Sequence, residues 1–559
     1  MTSAPIVAAI VAPPGTVNIQ VDGKWVQVPK GTRAIEAVSK HGTFVPHYCY
    51  HPKLSAPGNC RMCLIEMGSP KMGPDRKPIL GADGYPETSW IPRPQICCST
   101  DVAEGMAYRS HSPLIDECRK GVMEFLLINH PLDCTICDQA GECHLQEFSV
   151  EFGQADSRFL EEKVKKPKKV DLGPRIVLDD ERCIMCSRCI RFTQEIAHDD
   201  ALGFTQRGSH TVLTAYPGRP FANNYSLNTV DLCPVGALTS KDFRFKMRVW
   251  FLKQTSSVCT SCSTGCNTTI GSRENIVYRQ TPRENNEVNS EWMCDHGRLN
   301  FHFLQDEMRL TQPLARQADG TQKPVPMKRA IAEAAAQLHQ FKPDEIAVIA
   351  SARMTNEELY LAGILIRTLG VTMFDILPRP QQADGILVSA DGNPNTNGAR
   401  LMKVASDDPG RYLPIIARKI NEGAIKALVC LGEDAAACGV NPEVLAALPC
   451  VISLAILPNM TTAAATVLLP GAGFTEKRGS MINGKGRLQR LNRAVEIPAG
   501  AGDDWEILRD LIAALGGGNG IYTIEELFKQ IAVEAPALAG LSLSKIGDLG
   551  IDLKDKLSP

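Results

Sequence analysis

The sequence predicts a multidomain chain whose front is α+β and whose back is α/β. Three observations predict it. A chain of 559 residues is too long for one compact core. Of its 20 cysteines, 17 fall before residue 295 and three after it. From about residue 307 onward, strand-like and helix-like runs alternate.

Composition narrows the function classes. Hydrophobic content of 44% with 22% charged residues is that of a soluble globular protein. A net charge of -2 gives no electrostatic case for nucleic acid or an anionic membrane as the main partner. No apolar run reaches the roughly 18–20 residues that span a bilayer. The start, MTSAPIVAAIVAPP, has no basic segment and too short an apolar run for a secretory signal. The expectation is a cytosolic chain, or one docked to a membrane complex through other subunits. In that setting the cysteine density argues for metal binding over disulfides.

TVNIQVDGKWVQVPKGTRAIEAVSKHG reads as a strand, an Asp22-Gly23 turn, a second strand and a helix starting near Thr32. It leads into Cys49, Cys60 and Cys63 at C-x10-C-x2-C, with Cys97-Cys98 downstream. A hairpin and helix followed by a cysteine-bearing loop suggest a ferredoxin-like domain holding a [2Fe-2S] cluster, with zinc as the alternative. Either Cys97 or Cys98 completes the set, and spacing does not choose.

SPLIDECRKGVMEFLLINH reads as a helix opened by Ser112-Pro113. Leu114, Cys118, Val122, Phe125 and Leu126 share a face, which predicts Cys118 as a buried core thiol. The helix delivers His130 to Cys134, Cys137 and Cys143, a C-x2-C-x5-C set lacking a fourth thiolate. By spacing alone His130 is equally a fourth ligand or a helix-end residue. The following EEKVKKPKKVD (161–171) reads as a solvated linker.

Cys183, Cys186 and Cys189 stand at C-x2-C-x2-C, and Cys233 precedes Pro234. Two-cluster ferredoxins use C-x2-C-x2-C-x3-C-P twice, each fourth cysteine serving the other cluster. Here Thr193, Asn223, Ser226 and Thr229 occupy the four ligand positions of one cluster, while the other set is complete. The pattern predicts a two-cluster fold that keeps one [4Fe-4S], and zinc fits it poorly. Cys259, Cys262, Cys266 and Cys294, at C-x2-C-x3-C-x27-C, suit zinc or [4Fe-4S] locally. Their neighbours tilt the reading toward a cluster.

Together, YCYHPKLSAPGNCRMCLIE, GVMEFLLINHPLDCTICDQAGECHLQ, CIMCSRCIRF and DLCPVGAL resemble the iron–sulfur G-subunit family of bacterial respiratory complex I, the NADH:quinone oxidoreductases. The resemblance implies an N-terminal β-grasp [2Fe-2S] domain with Cys98 as last ligand, since Cys98 has the family's Cys-small-Thr context. It implies that His130, Cys134, Cys137 and Cys143 bind one [4Fe-4S]. It also makes the Cys259–Cys294 set an extra [4Fe-4S] off the main electron path. Electrons would enter at the [2Fe-2S], pass the Cys183 cluster, then the His130 cluster. The implied partners are a flavin- and NADH-binding subunit, a thioredoxin-like [2Fe-2S] subunit, a two-cluster ferredoxin-like subunit and quinone-site subunits. Membrane contact would come only through them, peripherally on the cytoplasmic side of the inner membrane.

In the back, DEIAVIAS, VTMFDIL, IKALVCLG, CVISLAIL and TTAAATVLLP read as strands. TNEELYLAGILIRTLG reads as a helix with a Thr355…Glu358 capping box and Gly370 at its end. Alternation of this kind implies doubly wound layers. Cys430, Cys438 and Cys450 fall in or beside these runs as packing residues. Glu476, Gly479, Asn483, Gly486, Arg487 and Gln489 resemble the molybdopterin oxidoreductase superfamily, implying a degenerate α/β scaffold. Catalytic members of that superfamily carry a lysine where this chain has His296, so a lost active site is implied. No G-x-G-x-x-G joins a strand to a helix, and no P-loop is present, so NADH and flavin are expected on a partner.

The expected segments are 15–105 ([2Fe-2S] ferredoxin-like), 110–152 (a [4Fe-4S] domain with one histidine and three cysteines), 171–250 (ferredoxin-like [4Fe-4S]), 252–306 (molybdopterin-oxidoreductase-type [4Fe-4S]) and 307–559 (scaffold). The rivals are a self-contained molybdopterin-dependent dehydrogenase, an iron-hydrogenase-type subunit and a zinc-stapled interaction protein. Metal analysis of anaerobically purified protein separates them: one [2Fe-2S] and three [4Fe-4S] clusters predict about 14 irons per chain. A colourless product without iron would favour zinc, and about eight irons would remove at least one cluster.

Overall fold

The computed structural model describes residues 10–518 and 520–557. Most of the apolar run in MTSAPIVAAIVAPP lies outside the described residues. The chain forms two compact units, Met1–Trp250 and Phe251–Pro559. Among the described residues no helix is long and apolar enough to cross a membrane.

The front unit opens with a sheet ordered Lys24–Pro29, Thr16–Val21, Ala107–Arg109, Leu64–Pro70, Thr88–Trp90. The first two strands form the expected hairpin, with Asp22 and Gly23 at φ 47° and 83° turning the chain. Helix α1 (Ala34–His41) buries Ala34, Ile35, Ala37 and Val38 in a core shared with Ile19, Cys63, Cys97 and Cys98.

Helix α2 (Pro113–Leu127) begins as expected, with Ile115 N donating to the Ser112 hydroxyl at 3.3 Å. Its buried face differs from the predicted one. Ile115, Arg119 and Met123 are buried, whereas Leu114 and Phe125 are exposed and Cys118 is half-buried. The apolar count failed because the buried stripe contains a charge. Arg119, 1% exposed, donates to the Ser110 carbonyl at 3.0 Å and packs over the Phe152 ring of α3 (His144–Phe152).

Segment 161–171 is largely exposed, as a linker would be, but it is tied to the fold rather than free. Lys163 Nζ donates to the Leu127 and Ile128 carbonyls at 2.9 and 2.7 Å, closing the C-terminus of α2. Lys166 donates to the Thr211 carbonyl, and Lys168 pairs with Asp133 at 2.6 Å and Glu181 at 2.8 Å. Its lysines make it a strap, because their partners lie far away in sequence.

Helices α4 (Arg188–Glu195) and α5 (Asn228–Leu232) pack together beside a small sheet of Val170–Asp171, Ile176–Leu178 and Leu238–Ser240. The positions that a second cluster would use are satisfied internally. Thr193 and Thr229 donate to the Ile190 and Ser226 carbonyls at 2.7 Å, and Asn223 donates to Asp199 at 2.7 Å.

In the back unit an antiparallel sheet (Lys253–Val258, Asn267–Arg273, Ile276–Pro282) precedes α6 (Asp295–Leu299). A seven-stranded sheet follows, ordered Gln322–Pro324, Leu314–Arg316, Val467–Pro470, Cys450–Ala455, Ala427–Leu431, Ile346–Ala350, Met373–Ile376. Its last five strands are parallel and wholly or mostly buried. Helices α7 (Met327–Leu338) and α8 (Asn356–Leu369) cover it, and α8 shows the expected capping box and left-handed Gly370. The run TTAAATVLLP divides: Met460–Ala464 is a helix capped by Asn459, and only Val467–Pro470 is a strand. Cys430 and Cys450 are fully buried and Cys438 half-buried.

Beneath the α8 N-terminus lies a buried ionic cluster in which Lys477 pairs with Glu358 at 2.9 Å and Asp504 at 3.2 Å. Glu357 accepts from Ser480 N and Oγ at 2.8 Å, and burial pushes its carboxyl up to about 7 from 4.5. Between those two values the folded state holds a proton that the unfolded chain has released. Stability therefore falls as pH rises through that window. The contribution is on the order of 3 kcal/mol. Hydrogen-exchange protection of α8 is expected to decline from pH 5 to 8 and to decline less in Glu357→Gln. An identical pH profile in the variant would refute this.

Candidate metal centres

Each cysteine group is delivered by turns that no apolar periodicity would mark. Cys49 lies after α1, Cys60 and Cys63 lie in the loop before Leu64–Pro70, and Cys97-Cys98 follow Gln95–Ile96. The Cys60 thiol bonds that of Cys49, which with burial pushes it far up. Cys98 bonds both Cys49 and Cys63 through its side chain. Cys97 also bonds the Cys63 side chain and donates its thiol to the Cys63 carbonyl at 3.1 Å, but it makes no such bond to Cys49.

Cys134 stands on a single helical turn, with Cys137 following it, and Cys143 precedes α3. Their thiols lie within electrostatic reach of one another, Cys134 of Cys137 and Cys137 of Cys143. Burial pushes Cys143 up to about 11. His130 and Cys137 face the same guanidinium, that of Arg182. The helix-end role that His130 would otherwise have is filled by Lys163, which bonds the α2 carbonyls. His130 Nδ1 is buried without a hydrogen-bond partner, and burial lowers the ring to about 4, so the imidazole is neutral. A neutral imidazole with a desolvated ring nitrogen is what a metal requires. A Cβ at Gly236 would collide with Cys137 Sγ, so a glycine keeps space beside this group.

Cys183, Cys186, Cys189 and Cys233 line one small cavity with Leu213, Val235, Ala237 and Leu238. Met185 and Ser187, at φ 55° and 61°, turn the loop into α4. Burial raises all four thiols, Cys186 to about 12. The backbone N–H groups of Leu238, Val235 and Ala237 point at the Cys233 sulfur.

In the back unit, Cys259 N donates to Cys266 O at 2.8 Å, and Cys294 caps α6 by accepting from Gly297 N at 3.3 Å. Burial pushes Cys259 up to about 11 and Cys294 to about 12. A Cβ on Gly297 would stand 2.9 Å from Cys259 Sγ and 3.3 Å from Cys294 Sγ. Two of the superfamily-like residues brace this loop. Gln489 donates to Gly265 O at 2.8 Å and Asn483 to Thr264 O at 3.0 Å, whereas Glu476 pairs with Arg309 at 2.6 Å away from the loop. His296 and Lys477 line a separate cavity of about 450 Å³ at the C-terminal ends of the parallel strands.

Among the described residues no three His, Cys, Asp or Glu side chains converge as a single ion would require. Thiols set around a glycine-cleared or apolar space leave room for a multi-iron cluster, which is larger than an ion. Donor sets of thiols with one imidazole, free of carboxylates, also match iron–sulfur chemistry.

The three front groups adjoin one another through residues the sequence reading passed over. Arg188 faces Cys49, Cys186 and Cys233. Cys143 lies within electrostatic reach of Cys233, and the Tyr48 hydroxyl within reach of Cys143 and Cys60. Arg188 and Arg191, three residues apart in CSRCIRF and so on one helical face beside Cys189, were the available signal.

Comparison with known proteins follows the same division. Residues 15–113 match the 2Fe-2S iron-sulfur cluster binding domain, and 119–158 the NADH-ubiquinone oxidoreductase-G iron-sulfur binding region. Residues 173–239 match the ferredoxin-like domain of NADH-quinone oxidoreductase subunit 3, and 252–302 the NDSU1/NuoG-like 4Fe-4S domain. Residues 395–514 match molybdopterin oxidoreductase. The chain thus carries both 2Fe-2S and 4Fe-4S binding domains. The NADH-quinone oxidoreductase G subunit of Streptomyces coelicolor is 38% identical over 355 residues, 63% of this chain and 40% of that protein. The G subunit of Rickettsia conorii is 37% identical over 360 residues, 64% of this chain and 50% of that protein. Subunit 3 from Thermus thermophilus is 37% identical over 377 residues, 65% of this chain and 48% of that protein. The match spans half or less of these relatives' length.

The adjacent cysteines give a direct test. Cys98→Ser is expected to abolish the [2Fe-2S] EPR signal, while Cys97→Ser leaves it in place. The reverse outcome would exchange the two assignments.

Proposed function

From its kinship with the NADH-quinone oxidoreductase G subunits, carried by 63–65% of its length, we propose that this chain is an electron-relay subunit of complex I. It belongs in the peripheral arm, on the cytoplasmic side of a bacterial inner membrane, and contacts the bilayer only through partners. Those partners are the flavin- and NADH-binding subunit, the thioredoxin-like and two-cluster ferredoxin-like iron–sulfur subunits, and the quinone-site subunits. One [2Fe-2S] and three [4Fe-4S] clusters supply one-electron couples when bound. Cys49, Cys60, Cys63 and Cys98 hold the first; His130, Cys134, Cys137 and Cys143 the second; Cys183, Cys186, Cys189 and Cys233 the third. Cys259, Cys262, Cys266 and Cys294 hold the fourth. In this reading the segments are 15–105, 110–152, 171–250, 252–306 and 307–559. Molybdopterin, flavin and NAD have no place on the chain.

The observation that carries this reading is the adjacency of three donor sets inside one unit. Arg188 faces thiols of the Cys49 and Cys183 sets, and Cys143 lies within electrostatic reach of Cys233. That arrangement supports the order Cys49 set, Cys183 set, His130 set. The residues themselves exclude water, fix ligand spacing and tune potential by hydrogen bonds to sulfur. Neither acid nor base is required.

The cavity beside His296 favours the second reading, a molybdopterin-dependent dehydrogenase. Against it, Lys477, which lines that cavity, is already bound by Glu358 and Asp504. Molybdenum or tungsten at one per chain would overturn the relay reading.

His130 provides the site-specific test. In His130→Ala, iron is expected to fall by about four per chain with loss of one [4Fe-4S] signal. In His130→Cys the signal is expected to survive at a lower potential, because a thiolate adds negative charge. An unchanged signal and iron content in His130→Ala would remove His130 from the ligand set.

A further inference from the structure

We propose that Arg188 is a shared electrostatic element of two relay sites, raising the reduction potentials of both the Cys49 centre and the Cys183 centre. The inference rests on the cluster assignment above and adds a residue that is not a ligand. Arg188 is 6% exposed and sits on the first turn of α4, next to Cys189. One terminal nitrogen donates at 2.5 Å to the carbonyl of Tyr50, the residue after Cys49. The other donates at 3.3 Å to the carbonyl of Leu232, the residue before Cys233. The guanidinium faces the thiols of Cys186, Cys233 and Cys49. It therefore touches the backbone of one ligand loop from each site and faces the sulfurs of both.

Its charge has no conventional counterion. Among the described residues no carboxylate forms an ion pair with Arg188. The other charged group facing it is Arg191, itself committed to the Cys49 and Ser55 carbonyls. His47 and His144, which carry no negative charge in either protonation state, are the other titratable groups facing it. A buried cation without an anion is strongly unfavourable, and a guanidinium does not deprotonate in proteins. The anions within reach are the cysteinate-bound clusters. Each cluster gains one negative charge on reduction, so a fixed neighbouring cation favours the reduced form of both.

The test is an EPR-monitored redox titration of the full chain holding its clusters. In Arg188→Gln, with iron content equal to the parent, both midpoint potentials are expected to shift downward together. Arg188→Lys keeps the charge and is expected to keep both potentials near the parent values. Arg219→Gln, which removes an exposed arginine paired with Asp199, is expected to move neither. Unchanged potentials in Arg188→Gln, or a shift confined to one centre, would overturn the proposal. If Arg188→Gln loses iron, Arg188→Lys decides, because displacement of both its potentials would assign the role to backbone bonding instead of charge. Absence of both signals from the parent would overturn the cluster assignment itself, and the inference with it.

Discussion

A thiol buried away from water does not readily release its proton, and the candidate centres of this chain are built from such thiols. Burial raises Cys183, Cys186, Cys189 and Cys233 together, and it raises Cys259, Cys266 and Cys294 in the back unit. In that environment a thiolate persists only when a metal replaces the proton, so cluster binding and folding become one equilibrium. The rest of the architecture follows from holding such groups ready. Left-handed residues turn the loops, glycines keep clear space, and backbone N–H groups or a guanidinium stand where negative charge will accumulate.

His130 obeys the same constraint with opposite sign. A thiol must lose a proton to bind iron, whereas an imidazole must avoid gaining one. Burial holds the ring neutral and the nearby cations Arg182, Lys163 and Lys168 reinforce it. Two of those cations come from the 161–171 strap, and Lys163 also closes the end of α2. One segment thus removes the competing role for His130 and adds positive charge around its ring. The back unit shows a parallel economy. Residues that resemble a cofactor-binding superfamily here brace the Cys259–Cys266 loop through Gln489 and Asn483.

Much was legible because it depends on local spacing. The Asp22-Gly23 hairpin, the Ser112 cap, the Thr355–Glu358 box and the left-handed Gly370 each need only neighbours in sequence, and each stands where the pattern put it. Failures occurred where a distant partner overrode local pattern. The α2 face was misread because Arg119 finds the Ser110 carbonyl and the Phe152 ring, so a charged residue lies in the buried stripe. The lysines of 161–171 looked solvated because their partners lie 11 to 45 residues away, as with Lys168 and Asp179 or Lys166 and Thr211. TTAAATVLLP read as one strand because its threonines and its Val-Leu-Leu end favour strands, whereas the alanines and the Asn459 cap put Met460–Ala464 into a helix.

The sequence by itself determined which candidate cysteines travel together, because those separated by two or three residues lie on one short segment whatever the fold, while Cys97 against Cys98 and the role of His130 stayed open. It also determined the alternation that makes the back unit α/β. Only the tertiary structure decided which groups adjoin, that Cys98 faces two other thiols of its set, and that His130 is neutral and unpartnered. Only the tertiary structure put Arg188 between two sets of thiols. The reason is physical. Ligand spacing is a property of a short chain segment, whereas desolvation and charge are summed over everything the fold brings near.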